Sequence, residues 1–292
     1  VLLLRLGTDT LDLSDYEHNG VYVAKVDIGA PSVREVAYDL PDRDGTLDMT
    51  SFVGGRLITL SGQIIASAAA GTRQQIMDRL TRYCRPNIRP TLTIALNDDV
   101  PRTITLRGDQ CAAPIERPGR CPFAASWKAP DPRFYAAGPD GTPVVSSLTV
   151  FPPMAVGLGR MYPLTFPRLY PSSWGGSGFA VAHVAGDFPT WPTYTIRGPA
   201  TNPIVTTSDP AGNTSAVAFS TLTLAIGDYV TVDTAARAVW LNGDRNADRY
   251  STLDVTRTRW GPLHPGDTTI TYNASAFASP SQLTVTWTDA YL

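Results

Sequence analysis

The residues best suited to chemistry in this 292-residue chain are three histidines, three cysteines and a set of aspartates, and their spacing works against most reactions. His18, His183 and His264 stand far apart, and none falls in H-E-x-x-H, the pattern that sets two imidazoles on one helical face for zinc. The run Trp174-Gly175-Gly176-Ser177-Gly178 misses the register of a G-x-S-x-G nucleophile elbow. No Ser/His/Asp or Cys/His set can be assembled from the sequence. Gly157-x-Gly159 lacks the third glycine and the strand-to-helix setting of a dinucleotide loop, and no lysine sits in a Walker motif. Cys84, Cys111 and Cys121 give an odd count without a C-x-x-C pair, poor material for a disulfide framework or a zinc site. Buried free thiols made in a reducing cytoplasm are expected.

The aspartates fare no better. Asp42-x-Asp44-Gly45 followed by Asp48 starts like a calcium loop but lacks the bidentate glutamate and paired helices, so it reads as a solvated turn. Asp98 and Asp99 fall in a predicted hairpin turn, where nothing desolvates a carboxyl enough to tune it as an acid. His183 shares strand parity with Phe179 and Val181 and reads as a packed or rim histidine. No catalytic, cofactor or metal residue is therefore assigned. Five of the six tryptophans lie in the second half, and a flat aromatic face on a sandwich can stack on a sugar ring. Trp287 alternates with Leu283 and Val285 and reads as core. Trp191 and Trp260, each beside turn prolines, are the glycan-contact candidates.

Composition narrows the classes further. The formal net charge is -2 with a pI near 5.9, which lacks the basic excess of a general nucleic-acid binder. Charged residues make up 17% and no apolar run reaches membrane-spanning length, so a soluble globular protein is expected, with neither membrane nor specific nucleic-acid binding. The opening apolar stretch, interrupted by Arg5, is too short for a secretory signal. Only Lys25 and Lys128 are lysines, and only Glu17, Glu35 and Glu116 are glutamates, a bias that GC-rich coding explains. With 24 glycines and 25 prolines, the chain favours many short strands joined by tight turns.

The elements follow from periodicity. Ile76, Leu80 and Tyr83 recur along one face of a helix from Thr72 to Cys84, which Thr72 and Gln75 open as a capping box and Pro86 ends. Strands are expected at Arg56 to Ala66, Thr91 to Leu96 and Thr103 to Arg107, and Phe123, Ala125 and Trp127 continue the two-residue period. Seven prolines and seven glycines between Gly138 and Gly178 mark a boundary region, and the domain break is placed near Gly138. Val144 to Val150 is a further strand candidate. From Phe179 onward come only short alternating runs, Tyr194 to Arg197, Leu222 to Leu224, Tyr229 to Asp233, Arg237 to Leu241, Thr269 to Tyr272 and Leu283 to Trp287. Turns at Gly227-Asp228, Asn242-Gly243-Asp244 and Pro265-Gly266-Asp267 separate them, the pattern of a two-sheet antiparallel sandwich.

Two successions of residues carry a family resemblance. Phe52-Val53-Gly54-Gly55-Arg56-Leu57-Ile58-Thr59-Leu60-Ser61-Gly62, the helix, Arg102 to Leu106, and the segment from Phe123 through Trp127 to Pro130-Asp131-Pro132-Arg133-Phe134-Tyr135 resemble the distal tail proteins of long-tailed phages. Gly186-Asp187-Phe188-Pro189-Thr190-Trp191-Pro192, Gly227-Asp228-Tyr229-Val230 and Arg237-x-Val239-x-Leu241-Asn242-Gly243 resemble that family's C-terminal domain. The resemblance implies a mainly β, two-domain protein. Residues 1–137 would form a tail-tube-like β-sandwich or split barrel with one α-helix, and residues 138–292 a linker and a galectin-like, jelly-roll sandwich. It implies a structural hub of the virion tail tip, assembled in the host cytoplasm as a homo-hexameric ring and without enzymatic activity. Its partners would be the tail-tube protein, the tape-measure protein and hub or receptor-binding proteins, with host-wall carbohydrate as an alternative ligand of the second domain. Arg56, Trp127, Pro130, Asp131 and Pro132 are expected to be structural, the prolines fixing the backbone and Asp131 capping neighbouring amides.

Overall fold

The computed structural model describes residues 2–35, 37–39, 42, 44, 46–48, 51–95, 100–113, 121–153 and 176–292. The protein is mainly β, and it divides into two compact units, Val1–Val144 with Tyr291–Leu292, and Val145–Ala290. Among the described residues no helix is long and apolar enough to cross a membrane.

Two large sheets and one long helix form the body of the first unit, beside two two-stranded sheets that pair Val33–Arg34 with Phe52–Val53 and Ala37–Asp39 with Thr46–Asp48. The larger sheet runs β2 (Asp9–Asp12), β1 (Leu2–Leu6), β5 (Thr91–Ile94), β6 (Arg102–Thr105) and β9 (Phe134–Ala136), with Tyr291 at its edge. The smaller runs β7 (Arg107–Ala112), β8 (Pro122–Ala129), β4 (Arg56–Ile64) and β3 (Val21–Ile28). Side chains alternate across β4 and β8, so Ile58, Leu60 and Ile64 enter one core with Phe123, Ala125 and Trp127. Leu4, Leu11, Leu92 and Ile104 of the larger sheet join that core.

The helix α1 (Arg73–Tyr83) begins where the sequence places it. Thr72 accepts from the Gln75 amide, and the Gln75 side chain accepts from the Thr72 amide at 2.9 Å, so two backbone donors at the helix start are satisfied reciprocally. Ile76, Leu80 and Tyr83 are its buried residues. Arg82 near its C-terminus pairs with Asp9 at 2.8 Å. The strand expected to reach Ala66 stops at Ile64, and the one expected to reach Leu96 stops at Ile94; Leu96 and the predicted turn at Asn97, Asp98 and Asp99 lie outside the described residues.

Antiparallel pairing joins the named strands of the second unit, and one parallel bridge links Pro153 with Gly176. One sheet runs β10 (Ser146–Val150), β18 (Gln282–Trp287), β12 (Thr193–Arg197), β15 (Tyr229–Asp233) and β16 (Ala238–Leu241). Another runs β11 (Phe179–Val184), β17 (Gly266–Asn273), β13 (Ile204–Ser208) and β14 (Thr214–Ala218). A third joins the short strands Thr223–Leu224, Ala200–Thr201 and Ala276–Phe277. The core takes Tyr194, Ile196, Val230, Val232, Leu283 and Val285 from the first sheet and Val205, Val217, Ile270 and Tyr272 from the second. Two hydroxyl pairs are buried with them: Thr207 with Ser215 at 2.6 Å and Tyr272 with Ser281 at 2.8 Å. Pairing each hydroxyl with another removes the penalty of burying it alone.

Candidate functional site

Of the motif residues of the first unit, Trp127 reaches the end of α1. Trp127 is fully buried, and its indole Nε1 donates to the Tyr83 carbonyl at 2.9 Å. That carbonyl lies in the last turn, where the helix has no backbone donor left to offer. Beside it, Gly108 lies so close to the Cys84 carbonyl that a side chain there would collide with backbone. Cys84 and Cys121 are buried and Cys111 half-buried, all as free thiols. The hydrogen bond between the Cys84 and Cys111 thiols lowers Cys111, and the same bond together with burial raises Cys84.

Arg56 opens β4 in register with Ala129. It is 6% exposed, its guanidinium lies 5.0 Å from the centre of the Phe134 ring, and desolvation lowers its pKa. Pro132 is buried, while Pro130 and Asp131 are exposed. Asp131 accepts from the Arg133 amide at 3.2 Å and from the Tyr135 hydroxyl at 2.7 Å. Burial, aided by that carboxylate, pushes Tyr135 up to about 12.

One edge of the smaller sheet is incomplete. The eight-residue β3 ends the sheet order, so its outer backbone groups face no further strand in that sheet. Its register places Val26 opposite Leu60 and Ile28 opposite Ile58, and cross-strand partners share a face. Leu60 and Ile58 are wholly buried, yet Val26 is 36% and Ile28 38% exposed. The core-facing side of this edge is thus left partly open. Lys25, opposite Ser61, is exposed and pairs with Asp27 at 3.1 Å.

In the second unit the family-like segments act as braces. Phe188 donates its amide to the Ala290 carbonyl at 3.1 Å, and Thr190 exchanges backbone bonds with Leu263 at 2.9 and 2.7 Å. Thr190 also donates its hydroxyl to the Thr288 carbonyl at 2.7 Å. At the β15–β16 end, Asn242 and Gly243 take positive φ values of 51° and 74°, the conformation a tight hairpin turn demands.

The glycan-contact candidates are both half-buried, and Trp260 packs against the core, because the chain folds inward after Arg259 pairs with Ala216. Trp287 is a core residue, 6% exposed. His183 lies on the outer face of β11 with Phe179 and Val181, since the opposite parity, Ala182 and Val184, supplies the core. It pairs with Asp267 at 2.8 Å, a rim position and not a packed one. Near Trp260 a polar cavity of about 160 Å³ is lined by Thr207, Asp209, Ser215, His264 and Thr268. Trp174, Gly157-x-Gly159 and Gly45 lie outside the described residues, as do the side chains of Asp48, Asp98 and Asp99. The open edge at Val26 and Ile28 escaped sequence reasoning, because a half-covered core residue has the same hydrophobicity as a fully covered one.

A family model described as siphovirus-type tail component, C-terminal domain, matches residues 185–291. No curated protein matches the chain. Among solved structures, the SPP1 Dit (gp 19.1) protein, described as a paradigm of hub adsorption apparatus in Gram-positive infecting phages, is similar over 100% of both chains, with 13% identity and a TM-score of 0.66. A chain of the phage P2 baseplate in its activated conformation with Ca is similar over 98% of both chains, with 14% identity and a TM-score of 0.48. Residues 185–291 thus match the siphovirus-type tail-component domain, and the whole chain shares its fold with SPP1 Dit.

Proposed function

We propose that the protein is the hub of a phage tail tip, six copies closing into a ring that joins the tail tube to the adsorption apparatus. The open edge of β3 carries this reading. A sheet that ends in an eight-residue strand with Val26 and Ile28 part-covered invites another copy to complete it. A closed ring does so identically at every subunit without leaving a free end. In this reading the tail-tube-like first unit forms the ring and the galectin-like second unit decorates it. The tail-tube protein lies above, the tape-measure protein in the channel, and hub or receptor-binding proteins below. Such a hub works by fit between surfaces and needs no bond-making step. Mass photometry and negative-stain images of the purified protein, alone and with tube protein, test it. Six-fold rings uphold the reading, and a strictly monomeric species in both conditions overturns it.

A second reading, binding of host-wall carbohydrate by the second unit, is favoured by the polar cavity beside Trp260, where the buried Thr268 Oγ1 has no partner among the described residues. Wall-binding assays with Trp260→Ala and Trp191→Ala test it. Loss of binding in either variant supports a glycan site, and absence of binding by the unaltered protein removes it.

A further inference from the structure

The first unit contains a cavity of about 450 Å³ whose walls include Ile28, Ile94, Val100, Phe134 and Tyr291. Arg56, Arg102, Ala95 and the last residue, Leu292, also line it, and among the described residues no acidic side chain does. Arg102 lies over the Tyr291 ring at 3.8 Å. Arg56 differs. Its residue is more than nine-tenths buried, none of the ion pairs among the described residues includes it, and its Nε and Nη2 atoms have no hydrogen-bond partner among them.

Those two atoms are not an arbitrary pair. Nε–H and the neighbouring Nη2–H run parallel along one side of the guanidinium, spaced to meet the two oxygens of a carboxylate. A buried cation with a vacant fork is costly unless something fills it. The apolar walls suit the stem of an organic acid or an acidic side chain. They offer little to the additional oxygens of phosphate or sulfate, which need donors on several sides.

We propose that the Nε–Nη2 edge of Arg56 is a carboxylate-binding site within this cavity. The carboxylate is carried by an acidic side chain of a second copy of the chain or by a small organic acid in solution, and the same chemistry serves both. The site does not depend on the ring described above.

Thermal unfolding of the full chain in sodium acetate, against sodium chloride of equal ionic strength, tests it with Arg56→Lys as reference, since lysine keeps the charge and lacks the fork. A ligand bound only by the folded state raises the midpoint with the logarithm of its concentration. The unaltered protein is expected to gain stability in acetate that Arg56→Lys does not. Equal gains in both proteins overturn the proposal. If Arg56→Lys does not fold, the structure of the unaltered protein determined in acetate decides. Acetate oxygens on both Nε and Nη2 uphold the site, and water alone there overturns it. Mass photometry in the same buffers separates the sources. Acetate that dissociates assemblies identifies a neighbouring copy's side chain, whereas acetate that binds without changing the mass identifies a free acid; both outcomes uphold the site. Rings without an acetate response refute this site alone, and acetate binding by a permanent monomer refutes the ring alone.

Discussion

Asn242 and Asp228 are locked together across the β15–β16 hairpin: the Asn242 side-chain amide donates to Asp228 Oδ1 at 3.0 Å, and Asn242 Oδ1 accepts from the Tyr229 amide at 2.9 Å. Asp228 also accepts from the Ala225 amide at 3.3 Å, so the two family-like segments form a single clasp. Asn242 further holds a φ of 51°, which asparagine tolerates better than most residues. Asn242→Ala is expected to destabilise the protein by about 1–2 kcal/mol, combining lost bonds with backbone strain. Asn242→Gly relieves the strain and not the bonds, so it should fall between the two in urea unfolding.

Trp127 predicts a larger effect. Trp127→Phe keeps an aromatic ring but leaves the Tyr83 carbonyl without its donor in a buried core. A loss of about 2–3 kcal/mol is expected from the orphaned acceptor and the missing ring volume. Denaturant unfolding measures it, with hydrogen exchange in the last turn of α1 rising before that of the first turn.

The start of the same helix makes a smaller, separate prediction. Thr72→Ala removes one half of the reciprocal cap and should cost about 1 kcal/mol in thermal or urea unfolding. Thr72→Ser keeps the oxygen and should restore most of it.

Alkaline pH should weaken the fold through two phenols. Burial pushes Tyr83 and Tyr135 up to about 12, from an ordinary value of 10.0. Below pH 10 both states keep the proton and stability is unaffected. Between pH 10 and about 12 the unfolded phenols ionise while the folded ones do not, so stability falls across that window. Phenolate absorbance should show late-titrating tyrosines in the native protein, and Tyr135→Phe should lessen the alkaline loss of stability.

The open sheet edge predicts an assembly phenotype. Val26→Lys places a charge on the part-covered face of β3, a device by which natural edge strands refuse a neighbour. The unfolding midpoint should change little, because Val26 is already 36% exposed, while ring formation in mass photometry should be lost.

What was legible in the sequence was local or strictly periodic. Thr72, Gln75 and the Ile76-Leu80-Tyr83 face mark α1 because capping and helical period lie within a dozen residues. The parity of Phe123, Ala125 and Trp127 likewise gives β8 its buried face. Strands β13 and β14 were missed because Thr207 and Ser215 occupy core positions and satisfy each other across the sheet, which hides the apolar alternation. Strand β7 lacks a clean period because its pairing with β8 shifts between Gly108 and Gln110, and β3 shifts between Val23 and Lys25. The fork of Arg56 was illegible for a different reason. A sequence names a cation, but only three dimensions show that its Nε and Nη2 donors go unanswered among the described residues.

The scarcity of lysine gives the β3 edge a built-in chemical reporter. Lys25 lies on that strand and Lys128 on β8, both exposed, and they are the chain's only side-chain amines. An amine-selective acylating reagent, read by peptide mass spectrometry, therefore reports on two places with little background. If neighbouring copies cover the edge, Lys25 becomes slow to acylate as particles form. Lys128 provides the internal rate against which that slowing is judged, without any engineered tag.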